Sequence, residues 1–167
     1  MRQIGLKYGV ICGLVYVIIG LIGIVIGPEA AGGGLAWLLL AVMLGATFYV
    51  IYLGCKEFRD NVNGGSLSIG EGVKMGLTIG LVAGLIAAGF NLLYRNLIDP
   101  ELMETLRETY IEGLEERGID EASMDTALKI WDFTNGPIFT ILWTALWGLL
   151  KGLIAGAILK NDAPPAV

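Results

Sequence analysis

The sequence predicts an all-α membrane protein, a bundle of four transmembrane helices made of two hairpins, with an acidic helical hairpin outside the membrane between the third and fourth spans. Three observations predict it. Apolar residues make up 55% of the chain and charged residues only 16%, where soluble domains carry roughly 45–50% and about 25%. The mean hydropathy is +0.71, and the apolar residues fall into four runs long enough to cross a hydrocarbon core of about 30 Å. Finally, lysine and arginine gather at one end of those runs, as expected of the cytoplasmic side of a membrane protein.

At 167 residues there is room for a single membrane domain covering residues 1–167. The first run, 4–27, would reach ~36 Å as a helix. Arg2 followed by an apolar stretch imitates a signal peptide, but Tyr8 to Gly27 exceeds a signal core and counts as a span. Cleavage near Ala31 is the rival reading. The run stops at Gly27 and Pro28, and the short glycine-rich loop from Pro28 to Gly34 turns the chain back into a second span, 35–55, with Trp37 and Tyr52 near the two interfaces.

Asn63-Gly64 is a turn signal, and Ser68-Ile69-Gly70-Glu71 is a capping box, serine and glutamate each serving an amide of the other. A third span, 69–97, follows, with Phe90 and Tyr94 at its far interface. Asp99-Pro100 then reads as N-cap and first position of a helix outside the membrane. Leu102, Leu106, Tyr110 and Leu114 form its apolar stripe, with Glu101, Glu104, Glu108, Glu112 and Glu115 largely off it. Gly118 ends that helix. Asp120 caps a second, with the stripe Met124, Leu128 and Trp131, and Asn135-Gly136-Pro137 stops it. The acidic insert thus covers about 99–134, and the fourth span is 138–159.

Arg2, Lys7, Lys56, Arg59, Lys74, Lys151 and Lys160 fall toward one side, so both termini are expected in the cytoplasm. The outward segment from Arg95 to Gly136 holds eleven acidic and four basic residues, which accounts for most of the formal charge of −5.

The first and third spans resemble each other. Gly5 to Val15 aligns with Gly72 to Val82, and six of these eleven positions are identical. Both helices run outward, so the match predicts a parallel duplication of one hairpin, with convergence on glycine spacing as the alternative. Glycines four apart share a helix face and let a second backbone approach closely, which drives association where lipid supplies no hydrophobic gain. The candidate packing faces are Gly5, Gly9, Gly13; Gly72, Gly76, Gly80, Gly84 with Ala88; and Gly148, Gly152, Gly156. They predict either tight packing within the bundle or a face for a second copy or another membrane protein.

Lys151 lies about eight residues, ~12 Å, inside the end of the fourth span, where a charge costs on the order of 2.5–3.5 kcal/mol at the bilayer centre. Two readings apply: its long stem snorkels to the interface, or it joins Lys7, Lys56, Arg59 and Lys74 in a basic collar that contacts an anionic lipid or another anion. Asn91 and Arg95 share a face as interface anchors, with Arg95 placed to meet Asp99 or an acidic residue of the outer segment.

No catalytic constellation, metal-ligand cluster, phosphate loop or dinucleotide fingerprint occurs, and histidine is absent altogether. Asn63-Gly64-Gly65-Ser66 is a loop without the strand and lysine of a phosphate cradle. Cys12 and Cys55 fall at different depths, too far apart for a disulfide. The expectation is a protein that is not an enzyme and uses no cofactor or metal.

Lys7-Tyr8-Gly9, Phe58-Arg59-Asp60 through Asn63-Gly64-Gly65, Ser68 to Glu71, and Asn96-Leu97-Ile98-Asp99-Pro100 together resemble the bacterial domain-of-unknown-function family four-one-nine-nine, over nearly the whole chain. The resemblance implies a four-span inner-membrane protein of unknown activity and carries no functional residues with it. The leading expectation is a structural, accessory or interaction subunit in the lipid bilayer, as a homo-oligomer or in a larger complex, with no nucleic-acid partner. The alternative is a small transporter or channel for an ion or anionic solute.

Overall fold

The structure is a computed structural model, and it describes residues 1–26 and 33–161. Among the described residues six α-helices follow in order: α1 (Arg2–Ile26), α2 (Gly34–Asn61), α3 (Ile69–Leu93), α4 (Pro100–Glu115), α5 (Glu121–Thr134) and α6 (Pro137–Leu159). No β-strand occurs among the described residues. The glycine-rich turn expected after Gly27 and the rival cleavage near Ala31 lie outside them.

Among the described residues four helical stretches are long and apolar enough to cross a membrane: Arg2–Ile26, Gly34–Asn61, Ile69–Ile98 and Pro137–Leu159. The shortest, α6, has 23 residues and reaches ~35 Å, more than the ~30 Å of hydrocarbon. Few of their side chains are buried by protein, as suits helices whose outer faces are solvated by lipid. The chain is a multi-pass membrane protein.

Two boundaries differ from the sequence reading. The sequence ends the second span at Cys55, but α2 continues to Asn61, because Lys56, Glu57 and Arg59 are good helix formers that keep their backbone bonds after leaving the apolar zone. The third span does not stay α-helical to Leu97. It passes at Tyr94–Ile98 into a π-helical turn, in which the Asp99 amide bonds back to the Tyr94 carbonyl.

The chain divides into two compact units, Met1–Ala87 with Ile141–Val167, and Ala88–Thr140. In the first, Ile51, Cys55, Leu67, Met75 and Ile79 are almost fully buried. α1 lies along α2, with Lys7 near the start of one bound to Glu57 near the end of the other at 2.7 Å. Positive-φ residues Gly64 and Gly65 make the turn after α2, where the glycine backbone tolerates a conformation closed to other residues. Ser68 and Glu71 then cap α3 reciprocally, the Ser68 amide donating to Glu71 Oε2 at 2.8 Å and the Glu71 amide to Ser68 Oγ at 3.3 Å. Leu67 and Asn161 form an isolated antiparallel bridge, each amide donating to the other's carbonyl at 3.1 and 3.2 Å.

In the second unit Asp99 Oδ1 accepts from the Leu102 amide at 3.0 Å and Asp120 Oδ1 from the Ser123 amide at 3.0 Å, starting α4 and α5. Gly118, at φ +67°, reverses the chain between them. Leu114, near the end of α4, is buried, and Tyr110 stacks on Trp131 at 6.2 Å.

Candidate functional site in the glycine-packed bundle

The three glycine series all lie inside the first unit, with partners of two kinds. Those of α3 and α6 meet backbone to backbone: a Cβ added at Gly72 would stand 2.6 Å from the Gly156 Cα, one at Gly76 2.6 Å from the Gly152 Cα, and one at Gly148 2.9 Å from the Gly80 Cα. Gly84 ends this contact against Ile141 and Thr144. The glycines of α1 instead receive side chains. Gly5, Gly9 and Gly13 face Thr78, Val82 and Ile86 of α3 in turn, so α1 and α3 run side by side in the same direction. A residue that sequence reasoning missed, Gly54 of α2, sits where Tyr8 of α1 and Ile79 of α3 converge, and a Cβ there would lie 2.9 Å from Ile79 Cδ1. It belongs to no four-residue series, so spacing gave no signal for it. Not every span glycine is enclosed: Gly20 and Gly23 of α1, Gly45 of α2 and Gly89 of α3 have nothing within 4 Å of a built Cβ.

Close packing of α6 carries Lys151 inward. Its residue is 6% exposed, and its Nζ donates to Thr47 Oγ1 of α2. Thr47, fully buried, in turn donates to the Met43 carbonyl at 2.6 Å. The Lys151 ammonium also lies 5.8 Å from the Trp147 ring centroid. Both sequence readings take the Lys151 ammonium outward, whereas in the structure it turns to a buried hydroxyl whose own proton is committed to Met43. In a low-dielectric bundle this polar group is satisfied at the cost of a desolvated charge, and among the described residues Lys151 is in no ion pair.

The other four collar residues are spread over the same end of the unit. Lys7 is bound to Glu57, which also accepts from the Tyr8 hydroxyl at 2.8 Å. Arg59 is bound to its neighbour Asp60 at 2.6 Å. Lys56 and Lys74 are exposed. At the far end of α3, Arg95 is in no ion pair among the described residues, and the expected partner Asp99 is occupied as the α4 cap. Asn91 is exposed. Cys12 and Cys55 are both buried and free.

The second unit holds a cleft of about 490 Å³ between α4 and α5, walled by Leu106, Tyr110, Leu114, Arg117, Trp131 and Asn135. Among the described residues no group of three or more cysteine, aspartate or glutamate side chains is placed to hold a metal.

The family model described as "Protein of unknown function (DUF4199)" matches residues 7–161. The chain belongs to the DUF4199 family. That match covers nearly the whole chain, from Lys7 on α1 to Asn161 beyond α6. No curated protein and no solved structure matches it.

Proposed function

We propose that this DUF4199 protein is a non-catalytic structural or accessory subunit of a membrane assembly, joined to a second copy or to a larger partner through its spans. The observation that carries the reading is the set of open glycines Gly20, Gly23 and Gly45 in α1 and α2. A glycine facing lipid weakens a helix by roughly 0.5–1 kcal/mol against alanine with no contact in return, whereas one facing another helix lets the backbones meet. The ladders themselves are occupied within the chain, so the partner surface is this outer part of α1 and α2. The acidic helices α4 and α5, read as a hairpin outside the membrane, add a docking surface for a basic partner.

The self-match between α1 and α3 supports a duplicated hairpin, and the basic residues around Lys7, Lys56, Arg59, Lys74 and Lys160 support cytoplasmic termini in a bacterial inner membrane. Lys56 and Lys74, exposed at that end, suit an anionic lipid headgroup.

Cross-linking in native membranes tests the assembly. The expected result is a dimer or hetero-complex that Gly20→Leu with Gly23→Leu abolishes while the monomer remains folded. Recovery of monomer alone from the wild-type chain would reject the reading.

Lys151 favours a second reading, a small transporter or channel for an ion or anionic solute, since ionisable groups within spans commonly mark transport paths. Flux into liposomes no greater than into empty vesicles across a panel of ions would remove it.

A further inference from the structure

The cleft between α4 and α5 has the size and lining of a small-ligand site. Its volume of about 490 Å³ falls within the ~300–1,000 Å³ of such pockets, which are mainly apolar with a few convergent polar groups. Leu106 and Leu114 supply apolar wall, and the Tyr110–Trp131 stack, inclined by 26°, supplies an aromatic one. Thr109 also lines the cleft, its hydroxyl committed to the Thr105 carbonyl at 2.9 Å, and two further side chains supply polar groups. The Asn135 amide nitrogen donates to the Trp131 carbonyl at 2.9 Å, so its Oδ1 is left as an acceptor.

Arg117 is the other. In a segment of eleven carboxylates and four cations, Arg107 lies by Asp132 and Lys129 is bound to Asp125. Arg117 is in no ion pair among the described residues, and it is the sole charged residue among those lining the cleft. A guanidinium fork matches a phosphate or carboxylate. A ligand carrying only negative charge would, however, enter against the field of the surrounding carboxylates. A ligand that also carries an amine enters without net repulsion, and its amine meets the Asn135 oxygen and the aromatic faces.

We infer that this cleft binds a zwitterionic phosphate ester, its phosphate on Arg117, its amine toward Asn135 and the Tyr110–Trp131 rings, with any acyl part it carries along Leu106 and Leu114. Two sources share this chemistry, an aminophospholipid and a soluble phosphoamine ester. Asn135 is two residues in sequence from Pro137, where the apolar helix α6 begins, and aminophospholipid headgroups lie at the ends of such helices when they cross a bilayer.

The test uses the full chain in an uncharged maltoside micelle, with Trp131 emission taken as the difference between wild type and Trp131→Phe. Four probes are titrated: dihexanoyl phosphatidylethanolamine, dihexanoyl phosphatidic acid, dihexanoylglycerol and soluble glycerophosphoethanolamine. The expected result is saturable binding of a phosphoethanolamine ester, weakened about ten-fold in Arg117→Gln and largely retained in Arg117→Lys. Binding of the dihexanoyl ester alone assigns a lipid, and equal binding of the chain-free ester assigns a soluble ligand. Tighter binding of phosphatidic acid, equal binding of dihexanoylglycerol, an unchanged Arg117→Gln, or no saturable response overturns the inference.

Discussion

Thr47 accepts from Lys151 while donating to Met43, so the two side chains act as a pair and the effects of altering them are not additive. Thr47→Val leaves a buried ammonium without its acceptor, and unfolding in a detergent series is expected to show a loss of about 1–3 kcal/mol. Lys151→Met is expected to be neutral or stabilising, since an apolar chain of similar volume carries no desolvation cost. In the double variant Thr47→Val should cost less than in wild type, and equal costs in both backgrounds would mean that the pair is not coupled. The sequence marked Lys151 as anomalous but not where it turns, because its partner lies on another helix 104 residues away. Asp120 is the opposite case, legible as a cap from Asp120 to Ser123 alone. The Ser123 hydroxyl and amide hold its carboxyl below the usual carboxylate range. With the folded value depressed, its contribution to α5 is complete above the unfolded carboxylate range, near pH 4, and is lost as pH falls through the folded value. The difference in melting temperature between wild type and Asp120→Ala should therefore shrink as the pH is lowered from about 6 to about 2.

Helices α3 and α6 approach so closely that side chains have no room between them. Gly76→Ala would place a methyl 2.6 Å from the Gly152 Cα, which only a shift of one backbone relieves, so a destabilisation of about 1–3 kcal/mol is expected. Gly113→Ala in α4 meets nothing within 4 Å, and there the gain in helix propensity, about 0.5–1 kcal/mol, should prevail. Opposite signs for the two substitutions in thermal unfolding would confirm that enclosure, not glycine content, sets the energetics. Spacing revealed which residues share a face. It did not reveal what each face meets: the α1 glycines take Thr78, Val82 and Ile86, whereas their α3 counterparts take glycine backbone. Likewise nothing in the apolar pattern distinguished the π-helical turn at Tyr94–Ile98 from a continuing α-helix, since a change of one hydrogen-bond step leaves composition untouched.

At the scale of the molecule, the four spans were legible because a bilayer demands continuous apolar length and internally satisfied backbone bonds. Their lateral arrangement was not, since lipid-facing and partner-facing apolar residues look alike in one dimension. If the proposed orientation holds, a membrane-impermeant amine reagent added to intact cells should label Lys129, which is exposed on α5, and spare Lys56 and Lys74; labelling of all three would overturn it. The paired amides of Leu67 and Asn161 have a mechanical meaning as well. They clasp the exit of α6 to the turn that leads into α3, the helix against which α6 packs. Force applied to a handle attached beyond Asn161 would load those two hydrogen bonds before it reached the glycine interface. Extraction from the bilayer should therefore open with a small early rupture, followed by the peeling of α6 as one piece.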